Sequence, residues 1–259
     1  MTQMKFDDLD NRMRVYEEND DHCVLPGLFI VTRLDGRSFT RLTKDALNFE
    51  APFDERFRDY MVATVDHLMN CGFRIIFGYT QSDEISLLFH PNEKLFSRKT
   101  RKLISILAGE ASAKFSSLVG LVAAFDYRIS QLPTKVDVIE YFRWRSEDAH
   151  RNALSAHCYW ILRKKGKSPG EATSLLDGMN VSQKNELLFQ HGINFNDLPL
   201  WQKRGIGLIW QNYLKKGTNP VSGVVVETER RRIEVQYSLP LKDDYASFIA
   251  GILESPERE

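Results

Sequence analysis

Three carboxylates stand where they could act together: Asp35, directly before Gly36, and the adjacent pair Asp83 and Glu84 inside "GYTQSDEISLLF" (78–89). Ile75, Ile76 and Phe77 lead into that stretch, and Ile85, Leu87, Leu88 and Phe89 lead out of it. Both flanks read as strands entering a core, so the acid pair marks the tight end of a hairpin. Two carboxylates held close together repel unless a cation neutralises them. Mg²⁺ suits such a place, because it takes one or two protein carboxylates and completes its shell with water and phosphate oxygens. Two such ions can activate an attacking oxygen and steady a leaving one. Gly36 lets the backbone lie close to a metal or a phosphate. Acids and Asp-Gly steps are also ordinary turn residues. What favours a metal site is the joint placement of Asp35 and Asp83 on one rim.

The elements that would position them follow from periodicity. Residues 5–18 read as an amphipathic helix, and 26–36 as a strand ending at Asp35-Gly36. Phe57, Met61, Val65 and Leu68 recur at helical spacing over 54–70, with Asp54 as the N-cap and Gly72 as the terminator. Strands over 73–79 and 85–90, a helix over 97–118 and a strand over 121–130 complete the first half. This βαββαβ order predicts an antiparallel sheet with two helices on one face, its first strand beside its third. Asp35 then meets the hairpin that carries Asp83. RNA-binding RRM modules, polymerase palms and nucleotidyl cyclases share this order, so the fold alone does not choose an activity. The second half reads as helix over 135–165, a capped helix start at "SPGE" (168–171) and a helix over 181–192. Strand character returns at 205–214, 223–229 and 231–239, with "VVVETERRRIEVQY" expected to form a hairpin. The expected organisation is a catalytic core over 1–134 and an α-rich extension with C-terminal strands over 135–259, packed as one unit.

Composition narrows the class. The 259 residues are 42% hydrophobic and 27% charged, enough for a sizeable core without disulfides. Cys23, Cys71 and Cys158 are far apart and form no CxxC pair, which argues against a zinc site or a disulfide framework. A cytoplasmic setting is expected, with no signal peptide and no apolar run able to span a bilayer. The net charge of zero argues against an indiscriminate polyanion binder. Local basic patches stand out nonetheless: "KLFSRKTRK" (94–102), "RKKGK" (163–167), Lys203-Arg204 and Arg230 to Arg232.

The stretches "RLDGRSFTRL" (33–42) and "GYTQSDEISLLF" together resemble the tRNA-histidine guanylyltransferase family and its relatives, the 3′-to-5′ polymerases. "ASAKFS" (111–116), "KNELLF" (184–189) and "RGIGLIWQ" (204–211) agree in the same order. The resemblance implies an α+β fold with a polymerase palm-like sheet, and a catalytic site holding two Mg²⁺ ions. Asp35 and Asp83 would be the metal ligands, assisted by the Gly36 carbonyl. Glu84 would support the site, and Arg37 and Ser82 would lie toward the nucleotide. Family members extend RNA at its 5′ end, using GTP and other nucleoside triphosphates. A 5′ monophosphate is first activated with ATP, whereas a 5′ triphosphate is already activated. The incoming 3′-hydroxyl then attacks the α-phosphate, and AMP or pyrophosphate leaves. The resemblance also implies a homo-oligomer, commonly a tetramer, acting on tRNA.

Arg98, Lys99, Arg101 and Lys102 open the helix expected over 97–118. Cations at the positive end of a helix dipole are mildly unfavourable, which favours a triphosphate-gripping role for them. Asn152 is a further nucleotide candidate, and His150, Lys184, Asn185, Lys203 and Arg204 are candidates for tRNA contact. Eukaryotic guanylyltransferases carry His-Ile-Asn-Asn where this chain has His150, Arg151, Asn152 and Ala153. That departure favours template-dependent repair of truncated tRNA 5′ ends. The alternative is a dedicated tRNA(His) guanylyltransferase adding a single G. A nucleotidyl cyclase would not need the α-rich second half, and a non-catalytic RRM-like RNA-binding protein would leave Asp35 and Asp83 unexplained.

Overall fold

The computed structural model describes residues 5–218 and 225–254. In chain order the elements are α1 (Phe6–Glu18), β1 (Phe29–Gly36), α2 (Phe39–Arg41, continued by a π turn over Leu42–Ala46), α3 (Glu55–Met69), β2 (Ile75–Gln81), β3 (Glu84–Phe89), α4 (Thr100–Val119) and β4 (Phe125–Leu132). Then come α5 (Lys135–Lys164), α6 (Pro169–Leu176), α7 (Val181–Phe189), α8 (Leu200–Arg204), β5 (Ile206–Thr218), β6 (Val225–Gln236) and α9 (Lys242–Glu254).

One sheet holds all six strands in the order β4-β1-β3-β2-β5-β6. Every neighbouring pair is antiparallel. The first four strands give the expected βαββαβ arrangement, with β1 beside β3. The second half of the chain extends the same sheet at the edge of β2.

Strand alternation divides the core into two layers. Ile30, Leu34, Ile85, Leu87 and Phe89 pack under α3 and α4, against Met61, Val65, Leu68, Leu107 and Phe115. Val31, Phe77, Tyr79 and Leu88 face the other way, under α5 and α9, against Val138, Phe142, Tyr245 and Ile249. The two helices of the first half share one face, as expected, and the extension covers the face they leave. Each such side chain, fully buried, stabilises the fold by about 1.5–3 kcal/mol.

Caps fix the ends of the helices that matter for the site. The Asp54 side chain accepts from the backbone N–H of Arg56 and starts α3. Thr134 and Asp137 form a capping box, from which α5 runs unbroken for 30 residues. Ser168 and Glu171 form the box that "SPGE" announces.

Beyond shifted ends, such as β4 starting at Phe125 rather than 121, and the unforeseen α9, two differences from the sequence expectation have a clear cause. Helix α4 starts at Thr100 rather than at 97, because Phe96, Ser97 and Arg98 all take positive φ (51°, 52° and 59°) and reverse the chain. The stretch 225–236 is one strand paired along β5, from Val225 opposite Thr218 to Gln236 opposite Gly207, and not a hairpin on itself. Its sequence, VVETERRRIEVQ, contains no Gly, Pro, Asn or Asp to make a turn. Residues 223 and 224 of the expected strand lie outside the described residues. Among the described residues, no helix is long and apolar enough to cross a membrane.

Candidate active site

The β1–β3 register sets Asp35 opposite Glu84, and the β1–β4 register sets it opposite Asp126. Ser82 and Asp83 form the two-residue turn between Gln81 and Glu84, which face each other across the β2–β3 pair. The turn needs a left-handed residue, and Ser82 supplies it at φ 49°. Its hydroxyl donates to Asp83 Oδ1 at 3.1 Å. The Gly36 N–H donates to the Asp83 carbonyl at 3.0 Å, which ties the end of β1 to the turn. Asp35, Gly36, Ser82, Asp83 and Glu84 therefore share one rim of the sheet.

Gly36 has a packing reason as well. A Cβ there would lie 2.4 Å from the Phe39 ring. That ring is locked edge-on to Phe57 and Phe125, with centroids 6.3 and 5.0 Å away. Only glycine lets β1 end against this cluster.

The three acids differ in their surroundings. Glu84 Oε2 accepts from the buried Arg145 of α5 and from Gln81 Nε2 (3.2 Å), and Glu84 Oε1 lies 3.9 Å from Arg33 Nη1. Asp35 Oδ2 lies 3.8 Å from Arg33 Nη2. Burial raises the Asp35 carboxyl above its usual range, with Glu84 and Asp126 adding to the effect and Arg33 opposing it. Among the described residues Asp83 forms no ion pair; its carboxyl is held by the Ser82 hydroxyl and by its own backbone N–H. Burial, reinforced by the Asp35 charge, pushes its carboxyl up to about 6.

The rim thus carries surplus negative charge made only of hard oxygen donors. Among the described residues, no group of three or more His, Cys, Asp or Glu could form a metal cage. Two carboxylates and a backbone carbonyl nonetheless fit a hard cation that keeps water and substrate oxygens in its shell.

Beside Ser82 and Asp83 opens a pocket of about 300 Å³, walled by Thr43, Lys44, Phe49, Phe53 and Trp160 among others. Lys44, Glu50, Asp54 and Arg58 share the wall with these aromatic rings, and such a mixed apolar and polar lining suits a nucleoside.

The comparisons with known proteins bear on what fills it. The family model for tRNA(His) guanylyltransferase (Thg1) matches residues 10–135, and the model for the Thg1 C-terminal domain matches residues 136–242. The chain belongs to the tRNA(His) guanylyltransferase family. The tRNA(His) guanylyltransferase of Neurospora crassa is 34% identical over 226 residues, 81% of this chain and 75% of that one. The probable tRNA(His) guanylyltransferase of Drosophila melanogaster is 32% identical over 207 residues, 76% and 71% of the two chains. Among solved structures, a bacterial tRNA(His) guanylyltransferase (Thg1)-like protein in complex with ATP superposes with a TM-score of 0.73. It is 27% identical, over 95% of this chain and 99% of that one. The complex of such a protein with GTP gives 0.72 at the same identity and coverage. The Saccharomyces cerevisiae tRNA(His) guanylyltransferase gives 0.66 at 28% identity, over 73% and 88%.

The other residues that resemblance to this guanylyltransferase family singled out fall in three places. Arg37 is exposed next to the rim, its N–H held by the Ala124 carbonyl at 2.8 Å. Asn152 is exposed on α5 and donates to Asp148 Oδ2 at 3.2 Å; Asp148 in turn accepts from Arg145 at 3.2 Å. A hydrogen-bonded line thus runs from Asn152 to Glu84.

The tRNA candidates gather around α5, α7 and α8. His150 stacks edge-on to Phe195 at 5.2 Å, and burial, then Arg204, lowers its pKa. Lys184 Nζ donates to Ser155 Oγ at 3.0 Å, and Asn185 Nδ2 to the Val181 carbonyl at 2.9 Å. Arg204 pairs with Glu147 at 2.7 Å. Lys203 is a correction: it is buried, and its ammonium donates to the carbonyls of Phe195 and Asn196 at 3.3 and 2.7 Å. It stabilises a turn and has no exposed charge to offer RNA.

The basic run 98–102 is not at the carboxylate rim. Arg98 points inward and donates to the Leu28 carbonyl, just before β1, while Asp35 lies near the other end of that strand. Six residue steps along the strand separate Phe29 from Asp35, about 20 Å. Lys99 and Arg101 both clasp Asp21, and Lys102 lies 5.6 Å from the Phe96 ring centroid. In this chain the structure does not bring these four to the acids.

Two arginines escaped the sequence reading. Arg33 shares a strand face with Asp35, and Arg145 lies on the buried face of α5. A charged residue in an otherwise apolar run needs a partner, and that was the available signal.

Proposed function

We propose that this chain is a tRNA 5′-end guanylyltransferase that adds G to tRNA(His). The observation that carries the reading is the acid rim of Asp35 and Asp83, uncompensated at Asp83 and open to a nucleoside-sized pocket. Asp35, Asp83 and the Gly36 carbonyl would hold up to two Mg²⁺ ions. When bound, the ions lower the pKa of an attacking hydroxyl and offset charge on the leaving phosphate. The chain's own task is positioning. Ser82 orients the Asp83 carboxylate, and Arg145 holds Glu84 back from the pocket in an ion pair. Arg37 and Asn152 would be further nucleotide contacts beyond the pocket wall. In the transfer, the 3′-oxygen of GTP bonds to the α-phosphorus of an activated 5′ end, and AMP or pyrophosphate departs. ATP supplies that activation where the end is a monophosphate; solved Thg1-like structures contain ATP or GTP.

Single-G addition is preferred here to template-dependent repair. The curated relatives cited above carry the tRNA(His) name. The contrary sign, Ala153, loses weight in the structure. Ala153 is 2% exposed in a cluster with Leu154, Cys158, Leu188 and Phe195, so an asparagine there would face the core rather than RNA. A homotetramer belongs to the same reading. The exposed stripe of Phe6, Leu9, Met13 and Tyr16 along α1 supports an assembly, and light scattering tests it.

The decisive experiment offers the purified protein labelled GTP, Mg²⁺ and two 5′-triphosphorylated tRNAs. One is tRNA(His); the other is a different tRNA lacking its first paired nucleotide. Extension confined to tRNA(His) and indifferent to the opposite base is the expected result. Template-matched filling of the truncated end would establish repair instead. No transfer to either, with Asp35→Ala indistinguishable from wild type, would end the reading altogether.

A further inference from the structure

The nucleotide pocket opens on its far side into a second cleft of about 530 Å³, walled by Lys44, Phe49 and Trp160 in common with it, and by Arg163 and Lys164. Neither Ser82 nor Asp83 reaches this cleft. Its charges are lopsided. Lys44, Arg163 and Lys164 line it against a single carboxylate, Glu50. Lys44 Nζ sits 4.7 Å from the Trp160 ring centroid and has no acid partner among the described residues. Arg163 spends one N–H on the Lys167 carbonyl at 2.9 Å and keeps the rest of its fork. Lys164 is exposed and makes no ion pair among the described residues. Cations in the last turn of α5 suit the negative end of that helix's dipole. The dipole does not account for Lys44, which comes from the π turn after α2. Like charges converging on one cleft from two elements focus a positive field, and an anion there relieves their repulsion.

We propose that this cleft binds backbone phosphate of the RNA substrate, through Lys164, Arg163 and Lys44 beside Trp160. The inference rests on the guanylyltransferase reading above. In that reading a nucleotide in the pocket directs its phosphates to the Asp35–Asp83 rim. Its base then points toward Phe49 and Trp160, so its own phosphates do not occupy the cleft. RNA is the other polyanion the reaction requires. Arg offers a planar fork to a phosphate and Lys a point charge. The basic run "RKKGK" (163–167) thus lies on the path of the strand leaving the site.

The test uses the full chain and fluorescently labelled 5′-triphosphorylated tRNA(His), with affinity measured by anisotropy across a KCl series. Lys164→Glu and Arg163→Gln are compared with wild type, and the KM for GTP is measured at saturating tRNA. Lys164→Glu is expected to weaken tRNA binding several-fold and to flatten the slope of log affinity against log salt by roughly 0.7–0.9, one phosphate contact. Arg163→Gln is expected to act in the same direction, and neither to move the KM for GTP. Unchanged affinity and slope in both variants, with wild type binding and extending tRNA normally, would overturn the proposal. A raised KM for GTP with an unchanged salt slope would assign the cleft to nucleotide polyphosphate and overturn it too. Wild type that neither binds nor extends tRNA would overturn the underlying reading instead.

Discussion

Asp83→Asn should stabilise the metal-free protein while abolishing its activity. The carboxyl lies at about 6 in the folded chain, against an ordinary 3.8, because the site is buried and Asp35 is near. A shift of about 2 units, at about 1.4 kcal/mol each, is roughly 3 kcal/mol of folding free energy forgone once the group is ionised. The direction is set by proton binding. The folded state holds the Asp83 proton more tightly than the unfolded chain does. Below about pH 4 the group is neutral in both states and there is no penalty. As pH rises through about 6, the folded site must ionise and the penalty reaches full size. Asparagine keeps the shape and can still accept from Ser82, so the variant escapes the penalty. Urea melts in EDTA near pH 7.5 should show Asp83→Asn more stable by up to about 3 kcal/mol, with a Tm higher by roughly 5–10 °C. Near pH 3, below both values, the two proteins should converge. Added Mg²⁺ should stabilise the wild type through preferential binding to the folded state, and the variant far less. A variant equal to or weaker than wild type near pH 7.5, or a difference that ignores pH, would refute the electrostatic argument.

Other substitutions probe separate links. Arg145→Met leaves Glu84 without its buried partner and should cost about 3 kcal/mol in chemical denaturation, whereas Arg145→Lys should recover part of this. Lys203→Met removes the donor to two carbonyls and should cost about 2 kcal/mol, while the salt dependence of tRNA binding stays that of wild type. Gly36→Ala pushes a methyl into the Phe39 ring and should cost about 1–3 kcal/mol in thermal melts, with a loss of transfer activity as the end of β1 shifts.

Much of the site was legible because two local signals agreed. Alternating apolar residues fixed which ends of β1, β2 and β3 meet, and the acids stood at those ends; the sequence reading set Asp35 across from Asp83, whereas the register sets it opposite Glu84 and leaves Asp83 in the turn. What escaped the sequence depends on distant contacts or on backbone reversals. The basic residues at 98–102 read as a helix start. Three consecutive positive-φ residues turn Arg98 inward, however, and Asp21, some eighty positions earlier, holds Lys99 and Arg101. Lys203 looked like its neighbour Arg204, and only the turn at Phe195–Asp197 closing over it made it structural. The role of Ala153 was misjudged for a related reason. Identity at a position says little about recognition until the face of the helix is known.

The division of labour among the acids answers why a buried hairpin should carry them. Glu84 points to the α5 face of the sheet, where Arg145 and Arg33 meet it, and so belongs to the scaffold of the rim. Asp35 has Arg33 at 3.8 Å, too far for a hydrogen bond, and two acids opposite it. Asp83 has the Ser82 hydroxyl and, among the described residues, no cationic partner. An unpaired carboxylate in such a place is costly unless it stays protonated or gains a cation. The other buried groups near the rim are either paired, as Arg145 is with Glu84, or are phenols whose burial pushes their pKa up, as in Tyr79 and Tyr141. The fold has therefore matched arginines to the acid that anchors α5 and withheld them from the one that faces the pocket. The proposed cation-binding role of Asp83 and its neighbour Asp35 rests on that asymmetry more than on the presence of three acids.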